Sequence, residues 1–260
     1  MKKKAIIISV KSFKLSKKEI NLLSIEKPWG IILFKRNIKS LIQVKNLITK
    51  IRKVTQDSKF PIMIDEEGKT VSRLSNIINH NISQKIFGDI YKSQPKISEI
   101  IYKVYINNLC KLLKNIGINI NTVPVLDVLR KNTSKIINER SFSFKPDIVK
   151  ALGKVCVTQY NLNKIATVIK HIPGHGCALS DSHLKLPKVK LSYKNLNTID
   201  FKPFKVSSSK YSRCRSKNKL NCWNTLFLRN DAETVLLGVC LLLNTFSINS
   251  AVSFVFSSSY

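Results

Sequence analysis

Ile165-Ala-Thr-Val-Ile-Lys170-His171-Ile-Pro-Gly-His175-Gly-Cys177-Ala-Leu-Ser-Asp181-Ser-His183 decides how the rest of the chain is read. A five-residue apolar run of strand length ends abruptly in a cation and an imidazole, and three of the chain's four histidines follow within residues 171–183. Histidine changes protonation most easily near neutral pH, so this crowding, with Asp181 two residues before His183, is the strongest pointer to chemistry in the sequence.

The same arrangement recurs upstream. Short apolar runs occupy residues 5–10, 29–34, 60–64, 118–125 and 165–169, and amphipathic stretches at 38–54, 97–116 and 146–161 carry apolar residues at i, i+3 and i+4. Strands alternating with helices predict a parallel sheet buried on both faces, an α/β fold. Pro-Ile-Met-Ile runs into Asp65, Val-Pro-Val-Leu into Asp127, and the 165–169 run into Lys170 and His171. Any single strand must eventually reach water, but three that end alike indicate a site. In barrels and doubly wound sheets alike, active sites gather at the carboxyl ends of strands.

A chain of 260 residues buries one sizeable core, and an α/β barrel is a standard solution at this length. The formal charge of +30 resembles that of a nucleic-acid binder. Its carriers are mostly Lys, scattered among many Ile and Asn, as in a genome biased towards A and T, and they form no basic stripe or Arg-rich motif. No nucleic-acid partner is expected. Six cysteines without a C-x-x-C pair read as free thiols in a reducing cytoplasm. The Lys2-Lys3-Lys4 start mimics a secretory signal, but Lys11 ends the apolar run after residue 10, short of a signal core, so residues 5–10 read as a buried strand.

Five strings in order carry a resemblance: G-I-I-L-F-K-R-N (30–37), D-E-E-G-K-T-V-S-R (65–73), V-P-V-L-D-V (123–128), N-E-R-S-F (138–142) and K-H-I-P-G-H-G with D-S-H (170–183). With L-P-K-V-K-L (186–191) and I-D-F-K-P-F-K (199–205), the chain up to about residue 205 resembles the glycoside hydrolase family 3 β-N-acetylhexosaminidases. The resemblance implies a TIM (β/α)8-type barrel, incomplete at its carboxyl end. It also implies an exo-β-N-acetylglucosaminidase acting on peptidoglycan fragments by a retaining mechanism, as a cytoplasmic monomer without metal or organic cofactor. The expected partner is a saccharide or muropeptide containing N-acetylglucosamine.

Carried over by motif position, Asp65, Arg73, Arg140, Lys170 and His171 resemble the residues that grip the hydroxyls and acetamido group of the terminal sugar. A carboxylate accepts from two adjacent hydroxyls, and Arg and Lys donate to sugar oxygens. The plainer readings are a helix cap for Asp65 and ion-pair partners for the two arginines. His183 resembles the general acid/base and Asp181 its partner, with His175 shaping a turn between Gly174 and Gly176. The same window contains zinc-ligand types, His171, His175, Cys177, Asp181 and His183, but neither an H-E-x-x-H helix nor paired C-x-x-C supports a metal site.

The pattern departs from the family in two places. Lys69 stands where the family commonly has a second Gly, adding a side chain at a close-packed turn, and Glu66 stands where it has Gln. The resemblance also implies a nucleophilic Asp in a later D-D-L-like string, yet beyond Asp200 the only acidic residues are Asp231 and Glu233, in an unsuitable context. Two units are therefore expected: a family 3-like barrel over 1–205 and a divergent tail over 206–260. In one account a reading-frame change or gene decay replaced the last third; in the other, a genuine tail tethers a non-catalytic sugar-binding remnant to a membrane. The uncharged run 234–256 is long enough to span a bilayer but rich in Asn, Ser and Thr. The abrupt ending, Ser-rich composition and missing carboxylate favour the first account.

Overall fold

β2 (Pro28–Leu33) is buried at all six positions, and that burial sets the architecture: a strand apolar on both faces needs cover on both. The computed structural model describes residues 3–79, 81–131, 133, 137–172, 174–177 and 191–205. Five strands, β1 (Lys4–Ile8), β2, β3 (Ile62–Ile64), β4 (Ile120–Asn121) and β5 (Ala166–Thr167), form one sheet in the order β1-β2-β3-β4-β5. Every neighbouring pair is parallel. A parallel sheet laid down in strict sequence order is the pattern of a barrel wall, since each crossover advances one strand in the same direction. A doubly wound sheet would reverse order at a switch point.

The crossovers are helical. α1 (Lys17–Glu26) and α2 (Leu41–Thr55) follow the first two strands. α3 (Gln84–Ser93) and α4 (Pro95–Ile116) lie between β3 and β4, α5 (Pro146–Leu162) precedes β5, and the short α6 (Tyr193–Thr198) follows it. Local chemistry sets their ends. Ser16 and Glu19 form a reciprocal capping box on α1, Pro95 and Pro146 open α4 and α5, and Gly117 closes α4 at φ 94°. The periodicity readings at 38–54, 97–116 and 146–161 correspond to α2, α4 and α5. α1, α3 and α6, whose apolar stripes are short, were not legible that way.

Apolar residues divide into two clusters according to which way the strand side chains point. Ile31, Leu33, Ile62, Ile64, Ile165 and Ile169 face outwards, joining α2, α4 and α5 in the larger core, which also takes in Ile118 from the segment before β4. Trp29, Ile32, Met63, Ile120 and Val168 form a separate inner cluster, with Ile7, Phe34 and Ala166 packed on it. An inner core walled by strands and an outer core beneath helices is the layering of an α/β barrel, and these five strands account for part of its wall. Residues 206–260, with the candidate span at 234–256, lie outside the described residues. Among the described residues, no helix is long and apolar enough to cross a membrane.

Candidate active site

Alternation along the strands converts the inner core into a polar site two residues later. Met63 is followed at i+2 by Asp65, Ile120 by Thr122, and Val168 by Lys170. Side chains repeat with a period of two, so these polar groups point the same way as the inner cluster, one layer nearer the carboxyl ends of the strands. They meet there. Lys170 Nζ donates to Thr122 Oγ1 at 2.8 Å and pairs with Asp65 Oδ1 at 3.2 Å, while the Thr122 hydroxyl donates to the same Asp65 oxygen. A bridge between Val125 and Lys170 brings the β5 extension alongside the segment after β4.

The loop after β3 supplies a second carboxylate. Glu67, almost completely buried, pairs with Lys170 Nζ at 2.5 Å and receives two parallel bonds from Arg140, at 2.7 Å from Nε and 3.0 Å from Nη2. Arg140 sits on a 3-10 turn, Asn138–Arg140. Its Nη2 also lies 3.2 Å from His171 Nε2, and His171 Nδ1 lies 2.7 Å from Asp127 Oδ2. Arg73 closes the other end, 3.3 Å from Asp65 Oδ2, with its guanidinium over the Phe34 ring. Arg73, Asp65, Lys170, Glu67 and Arg140 thus form a chain of alternating charge. Exposure is graded along it: Asp65, Arg73 and His171 are partly open, while Lys170 and Glu67 are enclosed.

This alternation decides the charge states. Burial alone would push the Asp65 carboxyl up, but the Lys170 ammonium, the Thr122 hydroxyl and Arg73 outweigh it and hold Asp65 well below the usual carboxylate range. Burial likewise opposes ionisation of Glu67, and the charges of Lys170 and Arg140 reverse the balance. Asp127 is also buried and is held low by His171 and by the His175 N–H. The Arg140 guanidinium, despite burial, is held more firmly charged by Glu67. Near neutral pH the site therefore presents fixed carboxylates and cations, suited to orienting hydroxyls and amides.

The surrounding turns are as the glycines require. Gly68 has φ +137°, and a Cβ there would lie 2.4 Å from Ile82 O, so this glycine carries the constraint of the D-E-E-G-K turn. Lys69, expected to crowd that turn, is exposed, and its ammonium reaches Glu139 at 3.3 Å. Glu66 accepts from the N–H groups of Arg73 and Leu74, at 2.8 and 2.9 Å, bringing Arg73 back to Asp65. Gly174 has φ +131°, whereas Gly176 is needed for close approach, since a Cβ would meet Val128 O at 1.8 Å. His175 between them is buried and donates its N–H to Asp127 at 2.7 Å, in keeping with a structural part.

All five residues expected to grip a sugar, Asp65, Arg73, Arg140, Lys170 and His171, thus converge on one site. Asp65 caps no helix, because a loop follows β3 as far as α3. Asp181 and His183 lie outside the described residues, as do the strings between Cys177 and Leu191. Among the described residues, no group of three or more His, Cys, Asp and Glu is placed to hold a metal ion. Asp127, already marked as a strand-end charge, completes the site together with Glu67 and Thr122, which the sequence alone did not single out. Thr122 stands two residues beyond Ile120, and Glu67 two residues beyond Asp65.

A polar cluster at the carboxyl ends of parallel strands in an α/β barrel wall is the site of a barrel enzyme family. The model for the glycosyl hydrolase family 3 N terminal domain matches residues 2–209, and the chain belongs to that family. It is 33% identical over 181 residues to beta-hexosaminidase A of Pseudoalteromonas piscicida, covering 67% of this chain and 30% of that protein. The structure of native NagZ from Neisseria gonorrhoeae superposes with a TM-score of 0.74 at 28% identity, covering 79% of this chain and 60% of that one. A second structure of the same protein, in complex with N-trifluoroacetyl-D-glucosamine, gives 0.73 at 28% identity, with the same coverage of both chains. The chain therefore spans less than two thirds of the length of these relatives.

Proposed function

We propose that this chain carries the amino-sugar-binding half of a family 3 β-N-acetylhexosaminidase, a cytoplasmic enzyme of peptidoglycan turnover that removes terminal N-acetylglucosamine from cell-wall fragments. The observation behind the reading is the convergence of Asp65, Arg73, Arg140, Lys170 and His171 in a family whose structural relatives include NagZ in complex with N-trifluoroacetyl-D-glucosamine. In this reading Asp65 accepts from two sugar hydroxyls, Lys170 holds that carboxylate ionised, and Arg73, Arg140 and His171 set the remaining hydrogen bonds. Substrate binding costs little reorganisation, because the charges already compensate one another.

His183, oriented by Asp181, is the proton donor to the departing glycosidic oxygen in this proposal. Its imidazole replaces the second carboxylic acid that most retaining glycosidases use. Within residues 206–260, Asp231 and Glu233 are the only acidic residues, and neither follows an apolar strand as the family's nucleophilic carboxylate does. That composition favours a second reading: a non-catalytic amino-sugar-binding remnant. Hydrolysis of an aryl N-acetyl-β-glucosaminide separates the two. Turnover by the intact chain that is lost in His183→Ala establishes the enzyme, and sugar binding without turnover establishes the remnant. If neither is found, the amino-sugar reading fails.

A further inference from the structure

Asp127 lies outside the sugar-gripping set, yet its carboxylate is completely buried, accepts from two backbone N–H groups and faces one ring nitrogen. Oδ2 faces His171 Nδ1 at 2.7 Å, and Oδ1 receives the His175 N–H at 2.7 Å and the His171 N–H at 3.3 Å. Two backbone donors on Oδ1 favour the ionised carboxylate, which has acceptors only, so the hydrogen between Asp127 and the ring belongs to His171 Nδ1. The far side of the ring is constrained independently. His171 Nε2 lies 3.2 Å from Arg140 Nη2, and a guanidinium has donors but no acceptor. A proton on Nε2 would set two donors against each other.

We propose that Asp127 is a positioning residue that holds His171 as the Nδ1–H tautomer, so that Nε2 turns its lone pair to Arg140 and fixes the guanidinium for the sugar. Clamped by Glu67 through Nε and Nη2 and by His171 through Nη2, Arg140 is left with Nη1, which has no partner among the described residues and is the nitrogen we assign to the ligand. The tautomer assignment stands on the protein's own contacts, whereas the part concerning Nη1 rests on the amino-sugar reading above.

Asp127→Asn tests the idea at almost constant volume. The amide has one acceptor and one donor group where the carboxylate had two acceptors. With its oxygen kept on the His175 N–H, its NH2 faces His171 Nδ1, and the ring must move its proton to Nε2, against Arg140. With the amide turned round, its NH2 confronts two backbone donors. The first arrangement is the less costly, so the variant reverses the tautomer, as carboxylate-to-amide exchange behind an imidazole does in hydrolytic triads.

Long-range 15N–1H correlation on the histidine-labelled intact chain reads the tautomer, and His171→Gln assigns the signals by removing them. In the unaltered protein the expected result is a proton on Nδ1 and none on Nε2; a proton on Nε2, alone or with Nδ1, overturns the proposal without any variant having to fold. In Asp127→Asn the proton is expected on Nε2, with N-acetylglucosamine bound about 10- to 100-fold more weakly, the loss for one hydrogen bond to a charged group. A folded variant with the proton still on Nδ1 shows that Asp127 only fills space, and overturns the proposal. The Nδ1–H tautomer in a chain that binds no N-acetylglucosamine refutes the sugar reading and the part assigned to Nη1, whereas sugar binding with the opposite tautomer refutes the positioning alone.

Discussion

Replacing Lys170 by Met removes the cation at the centre of the alternating chain while nearly preserving its apolar stem. Two buried carboxylates lose their shared partner. Glu67 keeps the two-pronged bond from Arg140, but Asp65 is left with Thr122 and one 3.3 Å contact to Arg73. Breaking a buried pair by removing one partner costs about 3–5 kcal/mol, and because the Asp65 side chain retains 17% exposure, the lower end, about 3 kcal/mol, applies. For a chain of this size that is a fall in Tm of about 6–12 °C. The pH dependence has a definite sign. Both carboxyls are held below their ordinary range in the fold, so their contribution is present above the unfolded-state value of about 4 and drains away as pH falls through the lower folded values. The difference between Lys170→Met and the unaltered chain is therefore largest near neutrality and closes below about pH 4. Urea unfolding of both proteins across that range measures it. A loss under about 1 kcal/mol at neutral pH, or a difference that does not change with pH, refutes the central role given to Lys170.

Three further outcomes follow from the geometry. Asn121 is buried and joins the Glu66 backbone to the Tyr160 hydroxyl through bonds of 2.9–3.0 Å, so Asn121→Ala leaves buried groups unsatisfied and should cost about 2–4 kcal/mol by denaturant unfolding. Gly176→Ala drives a Cβ onto the Val128 carbonyl and should destabilise by about 1–3 kcal/mol, with Gly88→Ala, 1.7 Å from Phe142 O, behaving alike in thermal melts. Burial pushes the His175 imidazole below its usual value despite the Asp127 charge, so the unfolded chain takes up a proton first, and stability falls as pH drops below about 6.5; a His175→Gln variant should flatten that part of the stability profile.

The strand ends were the most legible part of the sequence. An apolar run that stops at Asp65, Asp127 or Lys170-His171 reports both a buried parallel strand and the end at which chemistry collects, because the two faces of the run and its terminus obey different constraints. Long helices were legible from spacing for the same reason: α2, α4 and α5 each bury a continuous stripe. The ten-residue α1 and α3 offer fewer repeats, and α1 is recognisable only through Ser16 and Glu19, which act at its start. The partners inside the site were harder to read. Glu67 belongs to a turn whose path depends on Gly68 and on Glu66 reaching back to two N–H groups, which strand periodicity does not describe. Asp127 was visible as a strand-end charge, but its orientation towards His171 depends on the bridge between Val125 and Lys170, a contact distant in sequence.

Equilibrium titration of the intact chain with N-acetylglucosamine, beside Asp65→Asn and the surface control Asp57→Asn, tests the amino-sugar site most directly. The account predicts saturable binding of one sugar per chain, retained in Asp57→Asn and lost in Asp65→Asn although Lys170 still folds into place. No saturable binding by the unaltered chain, or equal affinity in Asp65→Asn, would contradict it.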